Sequence, residues 1–208
     1  VRLEFNAVSV LIGATRALRN LNLSIRAGEI VGLRGHNGAG KSTVLNVATG
    51  AVTMSSGCMR LDGAEVPQPL GPKSASDLGL AGIHQEPALA QNLSVMDNLL
   101  LMKEVAGGRG QRRETASAAL ARIDASGAIA LDQPVSSLSL GERQMVDLAR
   151  GSLSGDVRVL FLDEPTAALG ERETRALHAL IRDFAERGTA VVYVSHRLPD
   201  ILDVCTRI

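Results

Sequence analysis

The chain has 208 residues, 45% of them hydrophobic and 21% charged, which excludes disordered and fibrous proteins. Lysine plus arginine number 22, and so do aspartate plus glutamate. The chain therefore lacks the overall positive charge that would indicate binding to nucleic acid. The two cysteines, Cys58 and Cys205, lack C-x-x-C spacing, which argues against a disulfide framework or a zinc site, and we interpret both as small core residues in a reducing cytoplasm.

The beginning of the chain predicts strands. The β-like runs VRLEF, LNLSI and EIVGL open the sequence, and CMRLDG follows the first predicted helix. Together they indicate a small antiparallel region. The next segment, PQPLGPKSASDLG, is rich in proline, glycine and serine and is predicted to be a loop.

A glycine-rich stretch, Leu33–Thr43 (LRGHNGAGKST), lies between the strand EIVGL and the predicted helix STVLNVATG. It fits G-x-x-x-x-G-K-[ST], a pattern whose backbone N–H groups cradle phosphates while the lysine reaches the terminal ones and the hydroxyl holds Mg²⁺. A structural turn without a ligand is the alternative interpretation. The predicted phosphate-binding residues are Gly35, Asn37, Gly38, Ala39, Gly40, Lys41, Ser42 and Thr43.

The middle third of the chain is predicted to be helical. The run LAGI reads as a buried strand, a helix capped at Ser94 follows, and further helices are predicted over 112–125 and from about Leu140. We therefore predict a helical subdomain, residues 85–154, inserted into an α/β core of residues 1–84 plus 155–208.

The last third predicts a parallel α/β unit. The apolar strands VRVLFLDE and TAVVYVSH flank the helix ERETRALHALIRDFAERG, and a last helix begins near Pro199. In such sheets ligands bind at the carboxyl ends of the strands. The candidate functional side chains at this edge are therefore those that end the apolar runs.

Two acidic residues, Asp163 and Glu164, end the strand VRVLFLDE. One carboxylate can hold Mg²⁺ while its neighbour orients or deprotonates an attacking water. The alternative is an acidic pair that caps the next helix. His196 ends the next strand at the same edge and is a candidate contact for a terminal phosphate, whereas His36, His84 and His178 are interpreted as structural. Gln85, after LAGI, offers an amide to both metal and water.

The segments GHNGAGKST, HQEP, SLSLGERQ, VLFLDEPTAAL and SHRL resemble, in this order and spacing, the ATP-binding subunits of ABC transporters. The variants LSLGERQMVDLAR and DEPTAAL are most similar to bacterial sugar-uptake ATPases, in which two ATPase modules are commonly fused, and this chain resembles the first module. The resemblance implies an α/β P-loop NTPase core with a small antiparallel β region and an inserted α-helical subdomain. We interpret the chain as a fragment or single module of a longer protein.

The resemblance also implies residue roles. Lys41, Ser42 and the loop amides would bind ATP and Mg²⁺, and Asp163 would complete the metal shell. Glu164 would be the catalytic base. The remaining implied roles are nucleotide sensing and metal contact by Gln85, γ-phosphate contact by His196, and binding of the γ-phosphate of a facing module's ATP by Ser139 and Gly141.

The implied activity is ATP hydrolysis that powers import of a small solute, with sugar as the expected cargo class. The implied partners are a second ATPase module, integral membrane permease subunits and, indirectly, an extracytoplasmic solute-binding protein; no nucleic acid is expected. The apolar stretch after Gln85 would dock the permease. No signal peptide and no uncharged apolar run approaching about 18 residues was found, so we expect a peripheral protein at the cytoplasmic face of the inner membrane.

Four positions depart from the family pattern. Ile12 stands where an aromatic residue usually stacks on adenine, Leu140 where many relatives carry glycine, Glu142 where glutamine is common, and Gly170 where aspartate is common. Two rival functions stay open: a soluble ABC-type ATPase acting on nucleic acid or ribosomes, and a nucleotide-dependent interaction module without hydrolysis. The long heptad insertions or basic arms that mark the first rival are absent from this sequence.

Overall fold

The structure is a computed structural model that describes residues 1–36, 38–84, 87–101, 108–124, 127–153 and 156–208. The chain divides into two compact units. Unit 1 comprises residues 1–82, 156–164 and 181–208, and unit 2 comprises residues 83–155 and 165–180. The predicted domain division, 1–84 plus 155–208 and 85–154, stays a prediction.

The strands are β1 (Leu3–Ile12), β2 (Thr15–Ile25), β3 (Ile30–Leu33), β4 (Ser56–Leu61), β5 (Ala64–Glu65), β6 (Leu80–Ile83), β7 (Val159–Asp163) and β8 (Ala190–Val194). The helices are α1 (Lys41–Ala48), α2 (Pro72–Asp77), α3 (Val95–Leu99), α4 (Arg109–Ala121), α5 (Leu140–Ser152), α6 (Glu171–Glu186) and α7 (Leu198–Val204). A 3₁₀ turn covers Val135–Ser137. The α/β class predicted from the sequence is confirmed.

The antiparallel sheet of unit 1 has the strand order β2-β1-β4-β5. β1 pairs antiparallel with both β2 and β4, and its inward residues Leu3, Phe5, Val8 and Val10 are buried. Alternation of buried and exposed residues produces this one-sided sheet, because successive side chains of a strand point to opposite faces. The predicted antiparallel region is confirmed for VRLEF, LNLSI and CMRLDG.

The second sheet has the order β3-β8-β7-β6. β8 pairs in parallel with β3 on one side and with β7 on the other, and every residue of β7 and β8 is buried. The segment EIVGL was grouped with the antiparallel strands, which is wrong, because β3 belongs to this parallel sheet. Asp163 lies level with Val194 in the register, so β7 and β8 end together at one edge.

The helices differ from the predictions in two places. The segment predicted as a loop contains α2, which begins with Pro72, a residue whose fixed φ suits the first helical position. α4 begins at Arg109, before the predicted start at residue 112. The Ser94 cap of α3 is confirmed, since the Ser94 side chain accepts a hydrogen bond from the Asp97 N–H.

The main core of unit 1 lies beneath β1, β4, α1 and the parallel sheet, with Phe5, Leu45, Met59 and Phe161 almost fully buried. Cys58 and Cys205 are only half-buried, which corrects their interpretation as core residues. Burial nevertheless raises the pKa of the Cys205 thiol to about 11, so this thiol is poorly reactive at neutral pH.

Among the helices of the described residues, none combines the length and the hydropathy that crossing a membrane requires.

Candidate functional site

The glycine-rich loop joins the buried strand β3 to helix α1. Gly40 is the N-cap of α1 and carries no capping side chain, so the first N–H groups of this helix face the loop. The Lys41 ammonium donates hydrogen bonds to the carbonyl oxygens of Gly35 at 2.8 Å and His36 at 3.0 Å. The lysine is thereby held against the inner side of the loop, next to the helix N-terminus.

The loop glycines are required for different reasons. Gly40 has φ = 87°, and a Cβ there would lie 2.6 Å from Leu18 Cδ2 and 2.7 Å from the Ala17 carbonyl oxygen of β2. Gly38 has φ = 83° with open space around it, so only its backbone conformation favours glycine. A Cβ at Gly35 would lie 3.1 Å from that of Ala39. Tight packing of the loop against β2 thus fixes Gly40 most strongly.

A cleft of about 840 Å³ lies in front of this loop, lined by Arg34, Gly35, His36 and His196. The sequence interpretation left His36 as a structural histidine, but its side chain is exposed and lines the cleft. Arg34 was not singled out either. The sequence signal for these two residues is their position, since Arg34 directly precedes the loop pattern and His36 lies inside it. Lined in this way, the cleft presents basic and imidazole groups beside the loop amides, a chemistry that suits phosphate oxygens.

Glu164 and His196 meet directly at the carboxyl ends of β7 and β8. The backbone N–H of His196 donates to Glu164 Oε1 at 3.0 Å, and the ring atom His196 Nδ1 lies 2.8 Å from Glu164 Oε2. Glu164 has φ = 50°, a left-handed conformation that costs a non-glycine residue about 1–3 kcal/mol and is concentrated at functional sites. Its N–H is bonded to the Val194 carbonyl at 2.9 Å, which keeps the strained residue in place.

Asp163 ends β7 one residue earlier and is 7% exposed. Its carboxylate and the Ser42 hydroxyl are both oxygen donors of the kind that Mg²⁺ prefers. Ser42 is exposed in the first turn of α1, while Thr43 is half-buried there. Two predicted site residues, Asn37 and Gln85, lie outside the described residues. Unit 1 therefore contains the described loop residues, Asp163, Glu164 and His196.

Ser139 and Gly141 lie in unit 2, at the start of α5. The Ser139 hydroxyl accepts from the Glu142 N–H at 3.3 Å, and Glu142 Oε2 accepts from the Ser139 N–H at 2.7 Å. This is a capping box, a role at position 142 that glutamate and glutamine can both fill. The carboxylate is directed to the backbone, and the Ser139 hydroxyl keeps its proton for donation to another group.

Gly141 packs against the segment that follows VLFLDEP. A Cβ at Gly141 would lie 2.9 Å from the Ala168 carbonyl oxygen, an atom of the backbone that cannot turn aside as a side chain can. Close packing within unit 2 is therefore a second reason for glycine here, besides the anion site predicted from the sequence.

Replacing Gly141 with alanine is expected to destabilise the folded protein by about 1–3 kcal/mol, because the added methyl group overpacks the contact with Ala168. Leu140→Ala is the matched control, since Leu140 is 52% exposed and its loss is expected to cost about 0.5 kcal/mol or less. Urea denaturation of both variants measures the difference. Equal free energies of unfolding would contradict the packing role of Gly141.

Ile12 and Gly170 are two further departures from the family pattern. Ile12 ends β1 with its side chain 54% exposed, and Leu11 beside it is 52% exposed. The Gly170 carbonyl accepts from the Thr174 N–H at 2.9 Å and so begins the hydrogen bonding of α6. A Cβ at Gly170 would meet only the Glu173 carboxylate, the end of a flexible side chain.

Comparison with known proteins gives one family and several relatives. A sequence model of the family described as ABC transporter matches residues 18–167. The chain is 40% identical to the ribose import ATP-binding protein RbsA of Chromobacterium violaceum over 215 residues, which cover 100% of this chain and 42% of that protein. It is 39% identical to the RbsA of Yersinia pestis, covering 99% of this chain and 41% of that protein. The chain thus spans about two fifths of the length of the curated relatives it matches.

Solved structures with a similar fold include an ATP-binding cassette in a dimeric, post-hydrolysis state bound to ADP and Pi. That structure superposes with a TM-score of 0.83 at 25% identity and covers 95% of this chain and 89% of its own. A dimeric bacterial ABC transporter cassette superposes with the same TM-score.

Proposed function

We propose a function for this chain on the basis of its family. The chain belongs to the ABC transporter family, whose sequence model matches residues 18–167. The proposed activity is binding and hydrolysis of ATP with Mg²⁺, which powers import of a small solute through a membrane permease. Sugar is the proposed cargo class, since the relatives at 40% and 39% identity are ribose import ATP-binding proteins.

The residues of unit 1 fit a nucleotide with its metal. The glycines of the loop leave the backbone N–H groups open to phosphate oxygens, and the Lys41 ammonium lies beside them. Ser42 and Asp163 would hold Mg²⁺ together with phosphate oxygens of the nucleotide, as is usual for this ion. When bound, the metal neutralises charge that develops on the transferred phosphoryl group.

The observation that carries the proposal of hydrolysis is the Glu164 carboxylate, bonded to the His196 N–H at 3.0 Å and to the ring at 2.8 Å. Oriented in this way, Glu164 takes a proton from the attacking water as the water oxygen bonds to the terminal phosphorus and the bond from that phosphorus to the ADP oxygen breaks. Nε2, on the opposite side of the His196 ring, is proposed to contact the terminal phosphate; donation there, while Nδ1 donates to Glu164, requires the imidazolium form of the ring.

Ser139 supports a role for a second module. The Ser139 hydroxyl and the N-terminus of α5 form an anion site that the phosphates held by another module's loop would complete. We therefore propose that ATP is bound between two modules, fused or homodimeric, and that hydrolysis releases them. Two solved cassettes of similar fold are described as dimeric.

The proposed location is peripheral, at the cytoplasmic face of the inner membrane, with the permease docked on the segment that follows Gln85. A solute-binding protein outside the membrane is proposed as an indirect partner. No role for nucleic acid is proposed.

The test is Mg·ATP binding and phosphate release by the full-length protein with its permease, with ribose as the first solute probe. Wild type is expected to bind Mg·ATP and to release phosphate faster when the solute is transported. Lys41→Ala is expected to weaken binding by about 100-fold, because the charged contact to the terminal phosphates is lost.

Lys73→Ala is the control, since Lys73 is an exposed lysine of α2. A wild-type protein that does not bind Mg·ATP contradicts the proposal, and binding without turnover supports the interaction-module alternative.

A further inference from the structure

Two alanines of the segment Pro87–Leu93, which follows Gln85, are hydrogen-bonded through their backbone to side chains of α5 and α3. The first is Ala88, an exposed residue. The Ala88 carbonyl accepts from the Arg150 guanidinium at 2.8 Å. Arg150 also donates to the Asp147 carboxylate, so hydrogen bonds connect Asp147 through Arg150 to Ala88.

The second residue is Ala90. Its N–H donates to Asn98 Oδ1 at 2.7 Å, and its carbonyl accepts from Asn98 Nδ2 at 3.0 Å. Asn98 lies in α3 and is fully buried. Leu89, between the two alanines, is buried too. The segment is therefore fixed to α5 at Ala88 and to α3 at Ala90.

The Asp147 carboxylate is buried, whereas the Arg150 side chain is 24% exposed and its hydrogen bond to Ala88 lies at the surface. Asp147 is 5% exposed, and burial raises the pKa of its carboxyl although Arg150 acts in the opposite direction. Removing Arg150 leaves the buried Asp147 carboxylate without its partner and removes the contact between α5 and the Ala88 carbonyl. The Arg150 guanidinium thus links Ala88 to α5.

α5 joins this pair to the predicted anion site. Ser139 caps the N-terminus of α5, while Asp147 and Arg150 lie about 12 and 16 Å further along the helix at about 1.5 Å per residue. A helix of this length moves as one body, so a shift of its N-terminus displaces Ala88.

We propose that Asp147 and Arg150 are positioning residues that couple nucleotide binding at Ser139 to the segment Pro87–Leu93. This inference rests on the proposed function, because it requires nucleotide at the N-terminus of α5. Neither Asp147 nor Arg150 is proposed to contact the nucleotide.

Hydrogen–deuterium exchange of peptides covering residues 87–93 tests the proposal in the full-length protein, with a nonhydrolysable ATP analogue and Mg²⁺ as the probe. In wild type, the analogue is expected to slow exchange of this segment by about tenfold, within the usual range of coupling between sites. The ratio compared between variants is the exchange rate without the analogue divided by the rate with it. In Arg150→Ala, this ratio is expected to be below about twofold while the analogue still binds, because the contact to the Ala88 carbonyl is lost.

Two further variants separate coupling from general damage. Arg150→Lys keeps a donor for the Ala88 carbonyl and is expected to restore at least about a fivefold ratio. Arg113→Ala removes an exposed ion pair with Asp132 in the same unit and is expected to behave as wild type.

An Arg150→Ala ratio equal to that of wild type overturns the proposal, as does an Arg150→Lys ratio no higher than that of Arg150→Ala. A wild-type protein that binds no analogue contradicts the proposed function instead. A wild-type protein that binds it without any change in the segment contradicts the coupling alone.

Discussion

Glu164→Gln is expected to lower steady-state ATP hydrolysis by at least about 100-fold while Mg·ATP binding stays within about twofold of wild type. Glutamine has nearly the same shape as glutamate and keeps an oxygen that can accept from the backbone N–H of His196, which donates to Glu164 Oε1 at 3.0 Å. It cannot accept the proton of the attacking water. Phosphate release and equilibrium binding, measured on the full-length protein, give the two quantities separately.

Glu171→Gln is the control for this substitution. Glu171 is an exposed carboxylate in the first turn of α6, and its ion pair with Arg175 is fully on the surface. Its loss is expected to leave turnover unchanged. If Glu164→Gln and Glu171→Gln hydrolyse ATP at the same rate, Glu164 is not the base and the proposed mechanism is wrong.

The second large effect is expected for Gly40→Ala. Alanine at φ = 87° costs about 1–2 kcal/mol, and its Cβ would lie 2.6 Å from Leu18 Cδ2 and 2.7 Å from the Ala17 carbonyl oxygen, adding about 1–3 kcal/mol of overpacking. The loop must move away from β2 to accommodate the methyl group. We therefore expect a loss of about 2–5 kcal/mol in the free energy of unfolding and at least about a tenfold loss in nucleotide affinity.

Gly38→Ala separates these two causes. Gly38 has nearly the same φ, 83°, but no atom lies within 4 Å of its Cβ position. Its replacement is expected to cost only the backbone strain of about 1–2 kcal/mol. Denaturation curves for both variants measure the difference between them, and equal losses of stability would show that the contact with β2 does not hold the loop.

Most elements could be predicted from the sequence because their signals are local. β8 and all of β7 except its last residue, Asp163, are apolar, and the structure buries every residue of both strands. The Ser94 cap of α3 follows from the residue itself. α2 was missed although Pro72 marked its first turn, because the surrounding proline, glycine and serine residues favour a loop.

Strand pairing was harder to predict than strand existence. The segment EIVGL was assigned to the antiparallel region because its neighbours in the chain are there. The structure pairs β3 with β8, about 160 residues later in the sequence. Partners at such distances are set by packing of the whole sheet and leave no local signal.

The sequence by itself determined the loop pattern, the acidic residues after β7 and the histidine after β8, because these depend on residue type and spacing. Only the tertiary structure decided that Glu164 bonds to His196, that His36 lines the cleft and that Arg150 holds Ala88. The physical reason is that strand register and helix packing place side chains within hydrogen-bond distance. Both arise from burial of residues far apart in the chain.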